Sequence, residues 1–349
     1  MPAIAVADAL RAEGAQVSFV GGQRAEAELV PAAGYPLDPI RVEGISRTHP
    51  GRALRALAKA ALALRGARCI LRGRAADAVL GGGGYVAGPV GLAAVLRGIP
   101  LVLTEADSHM GLSNRLLAPR ARRVCLAFPI SGRDGERYLV TGRPVPARAA
   151  EREPARASLG IGDDELCVLV FGGSLGARSI NLAAVTAFAD APYRVLHIAG
   201  RRDFGELSAP GSHYDLRDYV TPFGVALAAA DVAVARAGGS IFELAQHGLP
   251  AVLVPYPHAT ADHQTANARW MQAGGAAVVI TDAELTSERL RAEVDAVLLD
   301  PDRLVAMAAA ATRLARPDAA RDVARAVLEA AGKDRISAER RSSSARWGR

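Results

Sequence analysis

The sequence predicts an α/β protein with two doubly wound domains, each built on a parallel sheet. The chain has 349 residues, which is more than one hydrophobic core usually organises. Short apolar runs rich in β-branched residues alternate with segments of Ala, Leu and Arg that repeat with helical period. The alternation occurs twice, on either side of a stretch at 141–154 that contains three prolines and many charges. We therefore place a domain boundary in this stretch.

The apolar runs predict where the strands lie. In the first half of the chain they are found at 17–20, 78–80, 101–103, 123–127 and 138–140. In the second half they are found at 167–171, 193–198, 232–235, 251–255 and 276–280. We expect an N-terminal domain over 1–145 and a C-terminal domain over 146–317. The basic segment 333–349 has no apolar period, so we expect it to be a disordered tail.

Composition narrows the classes of protein that fit. The formal net charge of +6 and the pI of 9.6 favour anionic partners, which leaves nucleic acid, phosphorylated ligands and an acidic membrane surface open. Cys69, Cys125 and Cys167 lack the spacing of a disulfide framework or a zinc site. The sequence contains no apolar run of the roughly 18–20 residues that span a bilayer. We therefore expect a soluble or peripheral protein.

A glycine-rich turn follows the predicted strand at 167–171. Its sequence, Gly-Gly-Ser-Leu-Gly from Gly172 to Gly176, would let backbone N–H groups and the start of the next helix face a phosphate. The Gly-Lys-Ser/Thr ending of a P-loop is absent. A turn that needs glycine only for packing explains these residues equally well.

Two further glycine turns follow predicted strands. Four glycines between Leu80 and Tyr85 favour close backbone approach to an anionic or sugar ligand over a flexible linker. The second turn, from Arg236 to Ser240, precedes a helical segment with Glu243 in its first turn. Ser240 and Glu243 suit a helix cap, and Glu243 equally suits hydrogen bonds from a ribose diol.

A polar segment at 255–267 follows another predicted strand. Its histidines, His258 and His263, are five residues apart and lack an evident third ligand, which favours recognition of sugar hydroxyls over a metal site. The D-x-D sequence at Asp300 and Asp302 falls at a predicted loop and helix start. Both observations argue against a metal-dependent transferase.

Basic residues accompany apolar ones on predicted helices of the first half. Arg52, Arg55 and Lys59 share one side of a face made of Leu and Ala, which suits either an anionic membrane surface or a solvated face. A second basic and apolar patch surrounds Leu112 and Leu116.

The order of these motifs resembles the MurG glycosyltransferases, a family of bacterial UDP-N-acetylglucosamine transferases. The resemblance extends over most of the chain and is specific because the motifs recur in the family's order. The segments that carry it are MPAIAVADAL, LVPAAGYPL, GGGGYVAGPVGLAAVLRGIPLVL, GLSNRLLAPRARRV, VTGRPV, GGSLGARSIN, YVTPFGVALAAADVAVARAGGS, FELAQHGLPAVLVPYPHATADHQTANA and AGGAAVVI.

The resemblance implies a GT-B fold, in which two Rossmann-like domains face each other across a cleft. It implies transfer of N-acetylglucosamine from UDP-N-acetylglucosamine to undecaprenyl-diphosphate-linked muramoyl-pentapeptide, in peptidoglycan synthesis and hence in cell shape and division. The reaction would invert the anomeric centre without a metal or other cofactor. The protein would be peripheral at the cytoplasmic face of the cell membrane, with an anionic membrane surface and no nucleic acid as partner. The helix near 318–332 would return to the N-terminal domain.

The resemblance also implies roles for single residues. The backbone of Val220 would contact uracil, and Glu243 would bind the ribose hydroxyls. His263 and Gln264 would lie against the N-acetylglucosamine. The donor diphosphate and its surroundings would involve Gly172, Gly173, Ser174, Gly176, Gly238, Gly239 and Ser240. The acceptor side would involve Gly82, Gly83, Gly84, Tyr85 and Asn114.

The sequence departs from the family at two places. Family members begin with a strand and a GGTGGHxxP loop, whereas this sequence opens at Met1 and Pro2, immediately after the position where that loop's histidine would lie. We expect a mis-assigned start and a gap between the strands that the first strand normally joins. The family's His-Glu-Gln-Asn appears here as Thr104 to Asp107, so Glu105 and Asp107 are the candidate catalytic residues unless they only close the strand end. A related transferase with another lipid or small-molecule acceptor, a sugar-nucleotide epimerase and an impaired binding protein remain alternatives.

Overall fold

The chain divides into two compact units, which are described separately below. Unit 1 comprises Met1–Val145 and Asp318–Arg349, and unit 2 comprises Pro146–Pro317. The computed structural model describes residues 2–23, 26–40, 50–146, 151–173 and 176–332, without the side chains of 50–60. The segment 333–349, where the sequence predicts a disordered tail, lies outside the described residues.

Helices and strands alternate along the first part of unit 1. These elements are α1 (Pro2–Ala12), β1 (Phe19–Gly21), α2 (Glu26–Ala32), β2 (Leu37–Pro39), α3 (Pro50–Gly73), β3 (Val79–Gly81), α4 (Gly84–Leu96), β4 (Leu101–Glu105), α5 (Leu112–Leu117), β5 (Arg123–Leu126) and β6 (Tyr138–Val140). Strands β3, β4, β5 and β6 form one parallel sheet in that order, and β1 pairs with β2 in another. Among the described strands, β1 and β3 are not hydrogen-bonded neighbours. The sequence predicts such a gap in the sheet of this domain.

Unit 2 contains one six-stranded parallel sheet with helices between its strands. Its elements are α6 (Arg152–Leu159), β7 (Cys167–Phe171), α7 (Arg178–Ala187), β8 (Arg194–Ile198), β9 (Tyr214–Arg217), α8 (Phe223–Ala229), β10 (Val232–Ala235), α9 (Ile241–Gln246), β11 (Ala251–Leu253), α10 (His263–Ala273), β12 (Ala277–Val279), α11 (Ser287–Leu298) and α12 (Pro301–Leu314). The strand order is β12-β11-β10-β7-β8-β9. Every residue of β7 and β10 is buried, as expected when helices cover both faces of a parallel sheet.

The last helix, α13 (Ala319–Ala330), belongs to unit 1. Its apolar face joins a buried cluster with α1, β4 and β5. The fully buried members of this cluster include Val6, Val102, Cys125, Val323 and Ala324. Unit 1 is therefore completed by chain that follows unit 2.

The strand order of unit 2 reverses between β7 and β10. From β7 the sheet continues through β8 and β9 on one side, and β10, β11 and β12 lie on the other. Phe171 and Ala235, the last residues of β7 and β10, are paired in register. The loops that follow these two strands therefore emerge side by side, at the point where doubly wound folds bind ligands.

Two strands, β2 and β9, lie where the sequence predicts none. Each contains an aspartate among few apolar residues, and β9 lies at the edge of its sheet. An edge strand is paired along one side only and needs little apolar character, so its sequence has no continuous apolar run to detect.

Candidate functional site

The loop after β7 closely approaches neighbouring backbone. A Cβ atom on Gly172 would lie 2.3 Å from the nearest backbone nitrogen, and one on Gly176 would lie 2.1 Å from the carbonyl oxygen of Ala199. Gly173 and Gly176 also have φ values of +91° and +84°, a region that strains residues with side chains. Helix α7 begins two residues after Gly176, so its unpaired backbone N–H groups lie beside this loop. Ser174 of the same predicted site lies outside the described residues.

The loop after β10 contains the second group of predicted donor residues. Gly238, Gly239 and Ser240 are half-buried, and Glu243 is half-buried in the first turn of α9. The side chain of Ser240 makes no capping hydrogen bond to the helix. Ser240 therefore occupies the N-cap position of α9, but its hydroxyl does not satisfy an N–H group of that helix.

Arg236, which precedes this loop, joins three chain segments at the end of the sheet. Its Nη1 donates to the carbonyl oxygens of Val254 and Pro255, both at 3.1 Å, and to Asp282 Oδ1 at 2.5 Å. Its Nη2 donates to the hydroxyl of Ser179 at 2.8 Å. The sequence motifs predict no role for Arg236, although an arginine directly after a buried strand needs hydrogen-bond partners that are fixed in place. Arg236 holds the ends of β10 and β11 and the start of α7 together.

Two amide side chains of α10 contact the loops after β10 and β11. Asn267 is buried and donates from Nδ2 to the carbonyl oxygen of Ala237 at 3.0 Å. Gln264 accepts from the backbone N–H of Tyr256 at 3.0 Å, and its Nε2 would lie 4.0 Å from a Cβ atom on Gly238. The structure therefore brings Gln264 together with the glycines of the loop after β10.

His263 begins α10 and contacts its own loop. Its Nδ1 lies 2.8 Å from the carbonyl oxygen of Thr260. Ala261 and Asp262, which precede it, both have φ of +52°, a conformation that costs non-glycine residues free energy. No group of three or more His, Cys, Asp or Glu side chains with metal-binding geometry occurs among the described residues. The histidines of this segment therefore do not form a metal cluster within the described part of the chain.

Val220 follows β9 and is buried. Tyr219 precedes Val220, and the guanidinium of Arg201 lies 5.3 Å from the centre of the Tyr219 ring. Phe223, at the start of α8, contacts Phe171 at the end of β7 with a ring separation of 5.0 Å. Val220 therefore lies in a segment that returns to the carboxyl end of the sheet, beside the loop after β7.

Predicted acceptor-side residues meet at the end of the unit 1 sheet. A Cβ atom on Gly83 would lie 3.6 Å from Nδ2 of Asn114, and the hydroxyl of Ser113 donates to the carbonyl oxygen of Gly84 at 3.0 Å. Gly82 precedes them, and Tyr85 is exposed at the start of α4. The glycine loop after β3 and helix α5 are thus held in contact.

Glu105 ends β4 and organises the loop that follows it. Its Oε1 accepts from the backbone N–H groups of Ala106 at 3.1 Å and Asp107 at 3.3 Å. Its Oε2 accepts from the N–H of Gly111 at 2.8 Å and from Asn114 Nδ2 at 3.0 Å. The buried carboxylate thus has four donors, about as many as its oxygens can accept. Asp107 is half-buried in the loop that Glu105 holds.

Exposed apolar side chains lie on α4 and α5 of unit 1. They are Tyr85, Leu92, Leu96, Leu112 and Leu116. Arg115 and Arg120 are exposed beside the last two. The side chains of Arg52, Arg55 and Lys59 lie outside the description, although their backbone is part of α3. Within the described residues no helix is both long and apolar enough to cross a membrane.

Comparisons with known proteins agree with this architecture. The N-terminal domain model of glycosyltransferase family 28 matches residues 1–126, and the C-terminal domain model of that family matches residues 167–323. A UDP-N-acetylglucosamine--N-acetylmuramyl-(pentapeptide) pyrophosphoryl-undecaprenol N-acetylglucosamine transferase of Methylococcus capsulatus is 42% identical over 340 residues, 95% of each chain. The transferase of the same name from Salinibacter ruber is 42% identical and covers 96% of this chain and 95% of its own.

A solved structure supports the same assignment. The crystal structure of MurG from Acinetobacter baumannii is 30% identical and matches 94% of this chain and 95% of its own, with a TM-score of 0.76. This match confirms the predicted fold class, a GT-B arrangement of two α/β domains with parallel sheets. Because the identity and the coverage are both high over nearly the whole chain, it belongs to glycosyltransferase family 28 and, within that family, to the MurG glycosyltransferases.

Proposed function

We propose that this protein transfers N-acetylglucosamine from UDP-N-acetylglucosamine to undecaprenyl-diphosphate-linked muramoyl-pentapeptide, with inversion, in peptidoglycan synthesis. The observation that carries the proposal is the pair of glycine loops after β7 and β10, whose strands end in register at the reversal of the sheet order. Such a position suits a nucleotide diphosphate. The relatives named above, at 42% identity, support the choice of sugar and acceptor.

The donor diphosphate would be bound by backbone in unit 2. Gly172 and Gly176 let the loop pack against Ala177 and Ala199, and Gly173 has open space where a side chain would lie. The first N–H groups of α7 add a partial positive charge. When the anomeric carbon bonds to the acceptor oxygen and its bond to UDP breaks, negative charge develops on the diphosphate. N–H groups already aimed at that position would stabilise this charge.

The other donor contacts follow from the same edge of the sheet. Glu243 would accept from the ribose hydroxyls, and the backbone of Val220 would bind uracil. Gln264 and His263 would contact the sugar, because α10 is tied to the loop after β10. The hydroxyl of Ser240 would also face the donor, since it makes no capping hydrogen bond to α9.

In unit 1 we assign different tasks to the two candidate carboxylates. A general base needs a lone pair that can reach the acceptor hydroxyl. Both oxygens of Glu105 are occupied by donors from its own loop, so we assign it the support of that loop. Asp107 would remove the proton from the acceptor hydroxyl. Gly82, Gly83, Gly84, Tyr85 and Asn114 would shape the acceptor site around it.

We also assign peripheral attachment to the anionic, cytoplasmic face of the cell membrane to the exposed apolar surface of α4 and α5. Leucines with arginines beside them suit insertion between anionic headgroups. Leu116→Glu should lower cosedimentation with vesicles containing anionic lipid, whereas Leu299→Glu in unit 2, at a site 51% exposed, should not. Equal binding by both variants and the parent chain would refute this assignment.

Release of UDP tests the transferase function. The protein is incubated with UDP-N-acetylglucosamine, with and without the lipid-diphosphate muramoyl acceptor. UDP released only with acceptor supports the proposal; UDP released without acceptor, or under neither condition, contradicts it. Asp107→Asn should lower kcat by about 10²–10⁴-fold with donor affinity unchanged. Asp134→Asn, an exposed aspartate elsewhere in unit 1, serves as the matched control.

A further inference from the structure

A chain of buried polar side chains lies beneath the glycine loop after β7. It runs from Tyr214 on β9 through His197 on β8 to Asn181 on α7, and all three side chains are buried. The hydroxyl of Tyr214 lies 2.7 Å from His197 Nδ1, and His197 Nε2 lies 3.0 Å from Asn181 Oδ1. The roles proposed above use none of these groups.

The partners determine which atom donates in each bond. Burial lowers the pKa of His197 to about 4, so its imidazole is neutral and carries one proton. The hydroxyl of Tyr214 donates to Nδ1, because the proton on Nε2 is needed for the acceptor oxygen of Asn181. This arrangement leaves the Nδ2 group of Asn181 with two N–H bonds to give.

Both N–H groups of the Asn181 amide donate hydrogen bonds to residues that follow β8. Asn181 Nδ2 donates to the carbonyl oxygen of Ala199 at 2.9 Å and to Asp203 Oδ2 at 3.0 Å. A flipped amide would bring its NH₂ against the N–H of His197 and its oxygen against the Asp203 carboxylate. The orientation of the Asn181 amide is therefore fixed by His197 on one side and by Ala199 and Asp203 on the other. Each of the three buried side chains has hydrogen-bond partners.

Gly176 also lies close to the carbonyl oxygen of Ala199. A Cβ atom on Gly176 would lie 2.1 Å from this oxygen and 3.3 Å from Asn181 Nδ2. Asn181 lies in the first turn of α7 and bonds the chain just after β8. It therefore sets the separation between the start of α7 and the end of β8, and the last part of the glycine loop passes between them.

We propose that Asn181, oriented by His197 and Tyr214, is a positioning residue that fixes Gly176 and the first turn of α7 in the geometry that binds the donor diphosphate. This inference rests on the proposed function, because it concerns how that donor site holds its phosphates. Asn181 is buried, and its amide bonds to the carbonyl of Ala199 and to the side chains of His197 and Asp203. Its loss should weaken the binding of a nucleoside diphosphate and leave the binding of the nucleoside alone unaffected.

Calorimetric titration with UDP and with uridine separates positioning from general stability. In Asn181→Ala the dissociation constant for UDP should rise by about tenfold or more, and that for uridine should change by less than about twofold. Thr186→Ala, an exposed position on the same helix, should leave both constants unchanged. Tyr214→Phe removes only the hydroxyl that bonds His197, and it should raise the dissociation constant for UDP by about two- to fivefold. This milder variant provides the test if Asn181→Ala does not fold.

Two results would overturn the inference. If UDP and uridine affinities fall together in these variants, Asn181 has only a structural role, and if neither falls, the loop does not depend on it. Failure of the proposed function is distinguishable, because the parent chain would then release no UDP in response to the lipid-diphosphate muramoyl acceptor.

Discussion

Two arginines on helix α6 share a carboxylate partner but differ in burial, and this difference predicts unequal contributions to stability. Arg156 has 1% of its side chain exposed and lies 3.6 Å from Asp231 Oδ2, whereas Arg152 is 46% exposed and lies 2.6 Å from Asp231 Oδ1. Arg156 also donates to buried main chain. Its acceptors there are the carbonyl oxygens of Gly162, Ala229 and Glu165.

The substitution Arg156→Met keeps the apolar length and removes the charge. The three carbonyl groups lose this donor, and Asp231 loses the buried positive charge that lies beside it. Losing the hydrogen bonds to three carbonyl groups together with a buried cation beside Asp231 costs about 3–5 kcal/mol of unfolding free energy. Arg152→Met removes an exposed pair, which costs about 0–1 kcal/mol. For a domain of this size the Arg156 variant should melt roughly 6–20 °C lower than the parent.

Unfolding of unit 2 can be followed through Trp270, which lies on α10 with its ring 5.4 Å from that of Phe242. The other tryptophan, Trp347, is replaced by Phe in every variant so that Trp270 alone reports. Urea titrations of the parent, Arg156→Met and Arg152→Met then give the free energies. A loss below about 1 kcal/mol for Arg156→Met, or an equal loss for Arg152→Met, would refute the reasoning.

Three further predictions concern unit 2 and the loop of Glu105. Because the pKa of His197 falls from 6.5 to about 4 on folding, the unfolded chain binds the proton first on acidification. Stability should therefore fall by about 2 kcal/mol between about pH 7.5 and pH 5, and urea titrations of His197→Gln should lack this component. Gly176→Ala should raise the KM for the donor by at least about tenfold, because its Cβ would displace the Ala199 carbonyl; an unchanged KM would contradict the proposed loop geometry. Glu105→Gln should lose about 1–3 kcal/mol in thermal unfolding, because its NH₂ group would face backbone donors; undiminished stability would show that the loop does not need the carboxylate.

The fold class was predictable because its signals are local. The strands β7 and β10 are continuous apolar runs. The turns that follow them contain glycines, and in the turn after β7 a side chain at Gly172 or Gly176 would collide with nearby backbone. Strands β2 and β9 escaped detection because their pairing depends on neighbours and not on their own apolar character.

The candidate site was predictable only in part, because several of its contacts join distant segments. Arg236 meets Asp282, which is 46 residues later in the chain, and Asn181 meets Asp203, which is 22 residues later. The sequence left open whether Glu105 is a base or closes a strand end, and its four donors favour the second.

The sequence by itself determined the α/β class, the glycine loops and the family to which the chain belongs, because short-range pattern and motif order carry that information. Only the tertiary structure decided which polar side chains hold those loops in place. Hydrogen bonds form between groups that are close in space, whatever their separation in sequence. The sheet order that places β7 beside β10 depends on the whole domain and cannot be predicted from the sequence of either strand alone.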